Sequence, residues 1–125
     1  MQSQMVQFRN QKPNADFPEV KDVTPQEVWE KRSEITVIDV RRPDEFSGEL
    51  GHIPGAQLVV LDVLPEQVQD LPRDKTIVFV CRSGGRSARA CDFAAAQGLT
   101  HIYNMQGGML AWNSFNLQVE GRSNL

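Results

Sequence analysis

TIVFVCRSGGRSARACDFAAAQ, residues 76–97, is the stretch that decides the fold of this chain. Its first five residues, 76–80, are β-branched or aromatic and predict a buried strand near the centre of a sheet. Residues 81–86 form a short connection with two glycines, and the alanine-rich residues 87–97 predict a helix that stops at Gly98. The order of strand, tight loop and helix is typical of an α/β domain.

The segments on either side continue this alternation of strands and helices. Runs of apolar residues, many of them β-branched, predict strands at residues 35–40, 57–60 and 101–104. Helical patterns lie at residues 64–71 and 109–113. We therefore expect a single α/β domain with a mostly parallel central sheet and helices on both of its faces.

A helix start is predicted at Thr24-Pro25-Gln26-Glu27. The Thr24 hydroxyl can cap the first turn, Pro25 suits the first helical position, and Glu27 can complete a capping box with Thr24. We expect this helix to end near Lys31. Residues 49–55 contain two glycines and a proline, and they predict an ordered turn region.

The length of 125 residues suits one domain core and leaves no room for a second. Residues 1–18 are polar and carry no clear pattern, so they predict a flexible N-terminal lead-in or a loosely docked arm. The folded domain is expected over residues 19–121, followed by a C-terminal tail at residues 122–125.

Composition and charge exclude several classes of function. The net charge of −3 and the isoelectric point near 5.3 argue against a nucleic-acid partner, because neutralising phosphates requires a basic face. No signal sequence or membrane-spanning stretch is visible, so the prediction is a cytoplasmic protein without a membrane partner. The two cysteines and two histidines lack the spacing of a disulfide scaffold or metal site, so we expect free thiols and no metal.

The connection Cys81-Arg82-Ser83-Gly84-Gly85-Arg86 carries the chemistry. A loop this short between a strand and a helix turns its backbone N–H groups inward and forms a concavity that suits an anion. Those N–H groups, the helix dipole and the two arginines would favour a thiolate at Cys81. Two arginines and two glycines have no reason to follow a cysteine that serves only as packing, so we interpret Cys81 as reactive.

This loop resembles the active-site loop of the rhodanese family. Two further blocks support the resemblance: Asp39-Val40-Arg41 with Glu45-Phe46 and Gly51-His52-Ile53-Pro54-Gly55-Ala56, and later Gly107-Gly108-Met109-Leu110-Ala111-Trp112. The blocks occur in the family's order and cover roughly residues 20–121. The resemblance implies a rhodanese-like domain of the single-domain thiosulfate sulfurtransferase type.

The resemblance also implies a reaction in two steps. Cys81 would take a sulfane sulfur from a small-molecule donor such as thiosulfate, and the resulting persulfide would pass it to cyanide or a thiol. No cofactor is expected beyond this transient persulfide. Either Arg82 or Arg86 could hold the departing sulfite. Two alternatives stay open: a persulfide carrier that serves a sulfur-relay protein, and a regulatory binding module without turnover.

The length of the loop bears on a third alternative. Phosphatases that share this type of loop look as if they need one more residue between the cysteine and the arginine, to make room for a tetrahedral oxyanion. Here four residues separate Cys81 from Arg86, so a sulfur-sized pocket is favoured and phosphatase activity is disfavoured.

The remaining polar candidates are expected to support the site. Asp39, Arg41, Glu45 and His52 resemble family residues that brace the loops by ion pairs and hydrogen bonds, and a direct catalytic role for His52 is disfavoured. Cys91 lies inside the alanine-rich helix and is expected to pack in the core, with a role as a resolving thiol left open.

Overall fold

Six strands form one sheet in the computed structural model, which describes residues 5–122. Side by side across the sheet they are Lys12–Pro13 (β1), Lys21–Val23 (β2), Ile102–Met105 (β6), Ile77–Val80 (β5), Thr36–Asp39 (β3) and Gln57–Leu58 (β4). The β1–β2 pair is antiparallel, and the other four neighbouring pairs are parallel. The predicted α/β class with a mostly parallel sheet is confirmed.

Helices precede or follow most of these strands. In the described part of the chain they are Pro25–Glu30 (α1), Pro43–Phe46 (α2), Leu64–Gln67 (α3), Gly85–Ala96 (α4) and Gly108–Ser114 (α5), with 3₁₀ turns at Arg32–Glu34, Leu61–Val63 and Val68–Asp70. Most predicted elements are present with ends shifted by one or two residues. The shift at α4 matters, because it places Arg86 and Ser87 in the first turn of the helix.

The central strand β5 is buried on both faces, as the sequence predicts. Ile77 and Phe79 pack in one apolar cluster, against the α4 side chains of Ala90 and Ala94. Val78 and Val80 pack in a second cluster with Val28 of α1 and with Met109 and Trp112 of α5. Helices therefore cover both faces of the sheet, and β5 lies between them in the interior of the sheet.

The N-terminal segment is packed on the domain, which is closer to the docked arm than to the flexible lead-in of the two possibilities predicted for it. Val6 and Phe8 are 7% and 3% exposed and belong to the apolar cluster that contains α1 and α5. Isolated apolar side chains are too few to produce a periodic pattern, so the sequence gives no sign of this packing. The prediction for residues 1–4 lies outside the described residues, as does most of the predicted tail.

The predicted capping box of α1 is half correct. The Thr24 hydroxyl accepts a hydrogen bond from the Glu27 N–H at 3.3 Å, as expected. The Glu27 carboxylate instead accepts the backbone N–H groups of Arg9 and Asn10, each at 2.8 Å. A carboxylate that can accept two hydrogen bonds from the N-terminal segment has a better partner than the single N–H of its own helix cap.

Parallel pairing brings three strand ends to one edge of the sheet. Asp39 of β3 pairs with Val80 of β5, and Phe79 of β5 pairs with Asn104 of β6. Cys81 follows Val80 directly, so this edge is where polar groups from distant parts of the chain can meet. No helix among the described residues has the length and apolarity needed to cross a membrane.

Candidate active site

The sulfur of Cys81 lies in a cradle of backbone N–H groups. Its Sγ accepts hydrogen bonds from the N–H of Gly84 at 3.1 Å and from the N–H of Ser87 at 3.3 Å. Gly84 reaches this position with a φ of 106°, a left-handed conformation that glycine adopts at little cost. The N–H groups of Gly85 and Arg86, in the first turn of α4, have no intrahelical acceptor and remain available to an anion.

Helix α5 fixes the outer side of this loop. The N–H groups of Met109 and Leu110 donate to the carbonyls of Cys81 and Arg82 at 2.9 and 3.0 Å. Because those carbonyls face α5, the loop N–H groups can face the sulfur. A Cβ on Gly108 would lie 2.5 Å from the carbonyls of Cys81 and Arg82, so only glycine permits this approach.

A series of hydrogen bonds between side chains continues from the sulfur into the sheet. The Ser87 hydroxyl lies 3.3 Å from Sγ and also donates to the side-chain oxygen of Asn104 in a short contact. The Asn104 amide donates in turn to the carboxylate of Asp22 at 2.9 Å. Ser87 and Asn104 are buried, so the hydrogen bond between them is shielded from water, whereas the one from Asn104 to Asp22 is only partly buried.

Arg86 is neutralised by a carboxylate from another element. Its two terminal nitrogens donate to the two oxygens of Glu45 at 2.7 and 2.8 Å. These hydrogen bonds from Arg86 lower the pKa of Glu45 from its ordinary 4.5 to about 2, and the same pair raises the pKa of Arg86. The ion pair connects α2 to the start of α4. It also engages both terminal nitrogens of Arg86, the second arginine of the loop.

Arg82 has a different environment. It is exposed and forms no ion pair among residues 5–122, and its side chain lines an open cavity of about 180 Å³. The carboxylates of Asp44, Glu45 and Glu49 line the same cavity. Arg41 lines the cavity as well, so two arginines and three carboxylates surround it, and Arg82 is the arginine that forms no ion pair within residues 5–122.

Asp39 and Arg41 form a buried ion pair beneath this cavity. Both are 1% exposed, and the Arg41 guanidinium donates to the Asp39 carboxylate at 2.8 to 3.1 Å. The same guanidinium donates to the backbone carbonyls of Glu45 at 3.1 Å and Gly51 at 2.7 Å. These contacts are those of a brace that holds residues 45–51 against the end of β3.

His52 is held away from the sulfur. Its Nδ1 lies 2.9 Å from the backbone oxygen of Phe46, whose ring stacks on the imidazole at a centroid distance of 3.7 Å. Its Nε2 lies 3.5 Å from the carboxylate of Glu120. Both ring nitrogens are thus directed at groups other than Cys81, and the geometry contains no Cys–His relay.

The second cysteine lies deeper in the same domain. Cys91 is fully buried in α4, and both cysteines are free thiols. Burial is the largest cause that raises the pKa of Cys91 well above its ordinary value. The core position expected from the sequence is therefore found.

Sequence reasoning missed three residues that the structure brings to the site. Asp22, Ser87 and Asn104 carry the chain of hydrogen bonds to Sγ, and the sequence assigned none of them to the site. The available signal was position, because Asn104 ends a predicted parallel strand and the ends of such strands meet at one edge. Within residues 5–122, no group of three or more Asp, Glu, His or Cys side chains is arranged to hold a metal ion.

Similar sequences and structures among known proteins identify the family of this chain. The family model for the rhodanese-like domain matches residues 24–115. A sulfurtransferase of Allochromatium vinosum is 33% identical over 86 residues, covering 69% of this chain and 78% of its own length. The putative sulfurtransferase YtwF of Bacillus subtilis is 37% identical over 97 residues, covering 78% of this chain and 91% of its own length.

A solved structure of a related protein has the same fold. The rhodanese-related protein of Thermoplasma volcanium superposes with a TM-score of 0.72 and 30% identity, over 78% of this chain and 94% of its own. The relatives that carry the name sulfurtransferase support a sulfurtransferase of the rhodanese type. On the match of fold, motif order and sequence, this chain belongs to the rhodanese-like domain family.

Proposed function

We propose that this protein is a thiosulfate sulfurtransferase that carries sulfur as a persulfide on Cys81. The observation that carries the proposal is the cradle around Sγ, in which the N–H groups of Gly84 and Ser87 lie 3.1 and 3.3 Å from the sulfur. Such donors stabilise negative charge on sulfur without taking part in bond making, which suits a sulfur that alternates between thiolate and persulfide.

The first half-reaction loads the cysteine. The Cys81 thiolate attacks the sulfane sulfur of thiosulfate, a new S–S bond forms, and the bond to the sulfonate sulfur breaks with its electron pair leaving as sulfite. The outer sulfur of the persulfide would then lie against the free N–H groups of Gly85 and Arg86. No resident cofactor is needed, because the sulfur itself is the only group carried.

The second half-reaction returns the cysteine to its starting state. The carbon of cyanide, or the thiolate of a small molecule, attacks the outer sulfur and the S–S bond breaks. The electron pair returns to Sγ, which is again a thiolate held by the cradle. The products are thiocyanate from cyanide, or a new persulfide from a thiol.

Arg82 is the better candidate to hold the anionic donor. Arg86 is committed to both oxygens of Glu45, whereas Arg82 is exposed beside an open cavity. Charge-assisted hydrogen bonds from Arg82 would orient the sulfonate oxygens of thiosulfate and stabilise the sulfite as it leaves. Glu49 and the arginine-paired Asp44 and Glu45 also line the cavity and lessen its attraction for a dianion, so a persulfide delivered by a partner protein remains the second candidate donor.

Intact mass spectrometry tests the proposal directly. Protein incubated with thiosulfate should gain the mass of one sulfur atom, and cyanide should remove that mass and release thiocyanate. Cys81→Ser should gain nothing, while Cys91→Ala should behave as the unaltered protein. If the unaltered protein gains no sulfur from thiosulfate or from a persulfide, the regulatory binding module is favoured instead.

A phosphatase assay provides the opposing test. The four residues between Cys81 and Arg86 leave a loop sized for sulfur, and Arg86 is bound to Glu45 and not free for a phosphate. We expect no release of phosphate from an aryl phosphate. Release that disappears in Cys81→Ser would contradict the argument from loop size.

A further inference from the structure

The hydrogen bonds that lead away from Cys81 form a continuous path to the N-terminal segment. The path runs from Sγ through the Ser87 hydroxyl and the Asn104 amide to the Asp22 carboxylate. The same Asp22 oxygen also accepts from the side-chain amide of Asn14 at 3.0 Å. Asp22 and Asn14 lie outside the residues matched by the family model, so this end of the path belongs to a part of the chain that the match does not describe.

The directions of these hydrogen bonds follow from what each group can donate. A carboxylate offers only lone pairs, so the NH₂ group of Asn104 must face Asp22. The amide oxygen of Asn104 must then face the Ser87 hydroxyl. Asp22 thus sets the orientation of Asn104, and it polarises the amide so that its oxygen is a stronger acceptor.

Two acceptors compete for the Ser87 hydroxyl in this path. It has one hydrogen and two acceptors within reach, Sγ of Cys81 and the side-chain oxygen of Asn104. It can donate fully to only one of them at a time. Which acceptor it chooses depends on the charge on Sγ.

We propose that Asp22 and Asn104 are positioning residues that act on Cys81 through the Ser87 hydroxyl. The hydroxyl donates to Sγ when the sulfur is a thiolate, and it donates to Asn104 when Sγ is bonded to the outer sulfur of the persulfide, here called the capped state. The capped state rests on the persulfide chemistry proposed above, whereas the competition for the hydroxyl exists in the resting protein. Asn104 gives the hydroxyl a partner in the capped state, so no buried donor is left unsatisfied at any stage.

The exchange of partners follows the electrons of the reaction. When the thiolate attacks the donor, Sγ loses its charge to the new S–S bond and the hydroxyl turns to Asn104. When the acceptor takes the outer sulfur, the electron pair of the broken S–S bond returns to Sγ and the hydroxyl donates to it again. Ser87 neither gains nor loses a proton in either step.

The test measures how the reactivity of Cys81 depends on pH. Alkylation of Cys81 by iodoacetamide, assigned by peptide mass, gives the pH at which the rate is half its maximum. Ser87→Ala removes a donor to the thiolate and should raise this midpoint by about one pH unit, the size of a modest hydrogen bond to a charged group. Asn104→Leu removes the competing acceptor and should lower it, although the variant changes no charge.

Asp22→Asn requires a double-variant control, because it also removes a negative charge near the sulfur. It should lower the midpoint, and this shift should be smaller in the Ser87→Ala background, where the path is broken. Ser87→Thr keeps the hydroxyl, so in that background Asp22→Asn should shift the midpoint as it does in the unaltered protein. The other charged or titratable groups on elements around Cys81 stay unchanged in all variants, among them Asp39, Arg41, Asp44, Glu45, Arg82, Arg86, Arg89, Cys91, Asp92 and Tyr103.

Two results would overturn the inference. One is an Asp22→Asn shift as large in Ser87→Ala as in the unaltered protein, which would mean that Asp22 acts through its charge alone. The other is an unchanged or higher midpoint in Asn104→Leu, with circular dichroism showing a folded protein. Alkylation requires no sulfur transfer, so failure of the thiosulfate experiment would leave this test intact and would count only against the proposed function.

Discussion

Cys81 and Cys91 lie on the same strand-loop-helix unit and are equally hidden from solvent, yet their surroundings differ. Cys81 is 1% exposed and Cys91 is 0% exposed. The sulfur of Cys81 accepts two backbone hydrogen bonds and lies within reach of the Ser87 hydroxyl. Cys91 lies within α4 among apolar core side chains, and burial raises the pKa of its thiol.

The comparison teaches that donors, and not exposure, distinguish the surroundings of the cysteine proposed to react from those of the packing cysteine. A thiolate costs little where N–H groups and a hydroxyl replace the water it has lost, and it costs much where only hydrocarbon surrounds it. The predictions below challenge this contrast by altering one cysteine, then the loop and charges around Cys81, and finally the other cysteine.

The largest effect is expected from Cys81→Ser. Serine keeps the shape but is a far weaker nucleophile towards sulfane sulfur, so turnover of thiosulfate and cyanide should fall by at least ~10³-fold. Thiocyanate formation measures the activity, and thermal unfolding checks that the fold survives. Residual activity above one tenth of the original would place the reactive group elsewhere.

Gly108→Ala should displace the Cys81 loop by pressing on its backbone from the α5 side. The added Cβ would come 2.5 Å from the carbonyls of Cys81 and Arg82, at a φ of 57°. We expect a loss of roughly 2–4 kcal/mol in the free energy of unfolding, together with a fall in activity, because the loop must shift.

Gly55→Ala is the matched control for this change. Gly55 has a φ of 84°, but a Cβ there would meet nothing within 4 Å. It should cost only the backbone strain, about 1 kcal/mol, and leave activity unchanged. Chemical denaturation measures both variants. Equal losses would mean that contact with the loop adds nothing to the cost of a positive φ.

Arg82→Ala should weaken the use of thiosulfate. Loss of charge-assisted hydrogen bonds to the donor predicts a rise of about 10-fold in KM for thiosulfate. Arg89→Ala, which removes an exposed arginine of α4, should change KM by less than about 2-fold. Steady-state kinetics decides the point, and similar values for the two variants would assign the effect to net charge alone.

Glu45 gives a prediction for stability against pH. Its pKa is about 2 in the folded protein against an ordinary 4.5, so its ion pair with Arg86 stabilises the fold above about pH 4.5. That contribution, roughly 1–3 kcal/mol for this partly buried pair, should disappear as the pH falls from 4.5 towards 2.

Glu45→Gln is the variant that isolates this effect. The variant should be less stable than the unaltered protein at neutral pH, and the difference should shrink across the same window. Urea unfolding at a series of pH values measures both proteins. A difference that stays constant down to pH 2 would show that the Glu45 carboxylate contributes nothing through its charge.

The smallest effect on activity is expected from Cys91→Ala. The change leaves a small cavity in the core and should cost roughly 1–2 kcal/mol of stability. Sulfur transfer should stay within about 2-fold of the unaltered protein, because no donor or charge near Cys81 is removed. A large loss of activity in a stably folded variant would identify Cys91 as a resolving thiol.

Much of the fold and the centre of the site could be predicted from the sequence because they are local. The strand β5, the glycine loop and the start of α4 follow each other within 20 residues, so propensity and spacing define them without knowledge of distant contacts. The upstream block containing Asp39 and Arg41 is identified by its resemblance to the family's motif. The positions of these residues in the structure agree with the strand ends inferred for them.

The N-terminal segment and the hydrogen-bond path to Asp22 could not be predicted. Asp22 and Asn104 are 82 residues apart in the chain, and Ser87 and Asn104 are 17 apart. Their contacts exist only because β2 pairs with β6 and β6 with β5. A single sequence does not reveal which strands become neighbours.

The sequence by itself determined that Cys81 ends a buried strand and opens a loop rich in N–H groups and arginines. It also determined, through motif order, the family to which the chain belongs. Only the tertiary structure decided that Arg86 is taken by Glu45 while Arg82 forms no ion pair within residues 5–122. The physical reason is that reactivity depends on nearby donors supplied by the same loop, whereas the partner of each arginine depends on which distant carboxylate the packed sheet brings within reach.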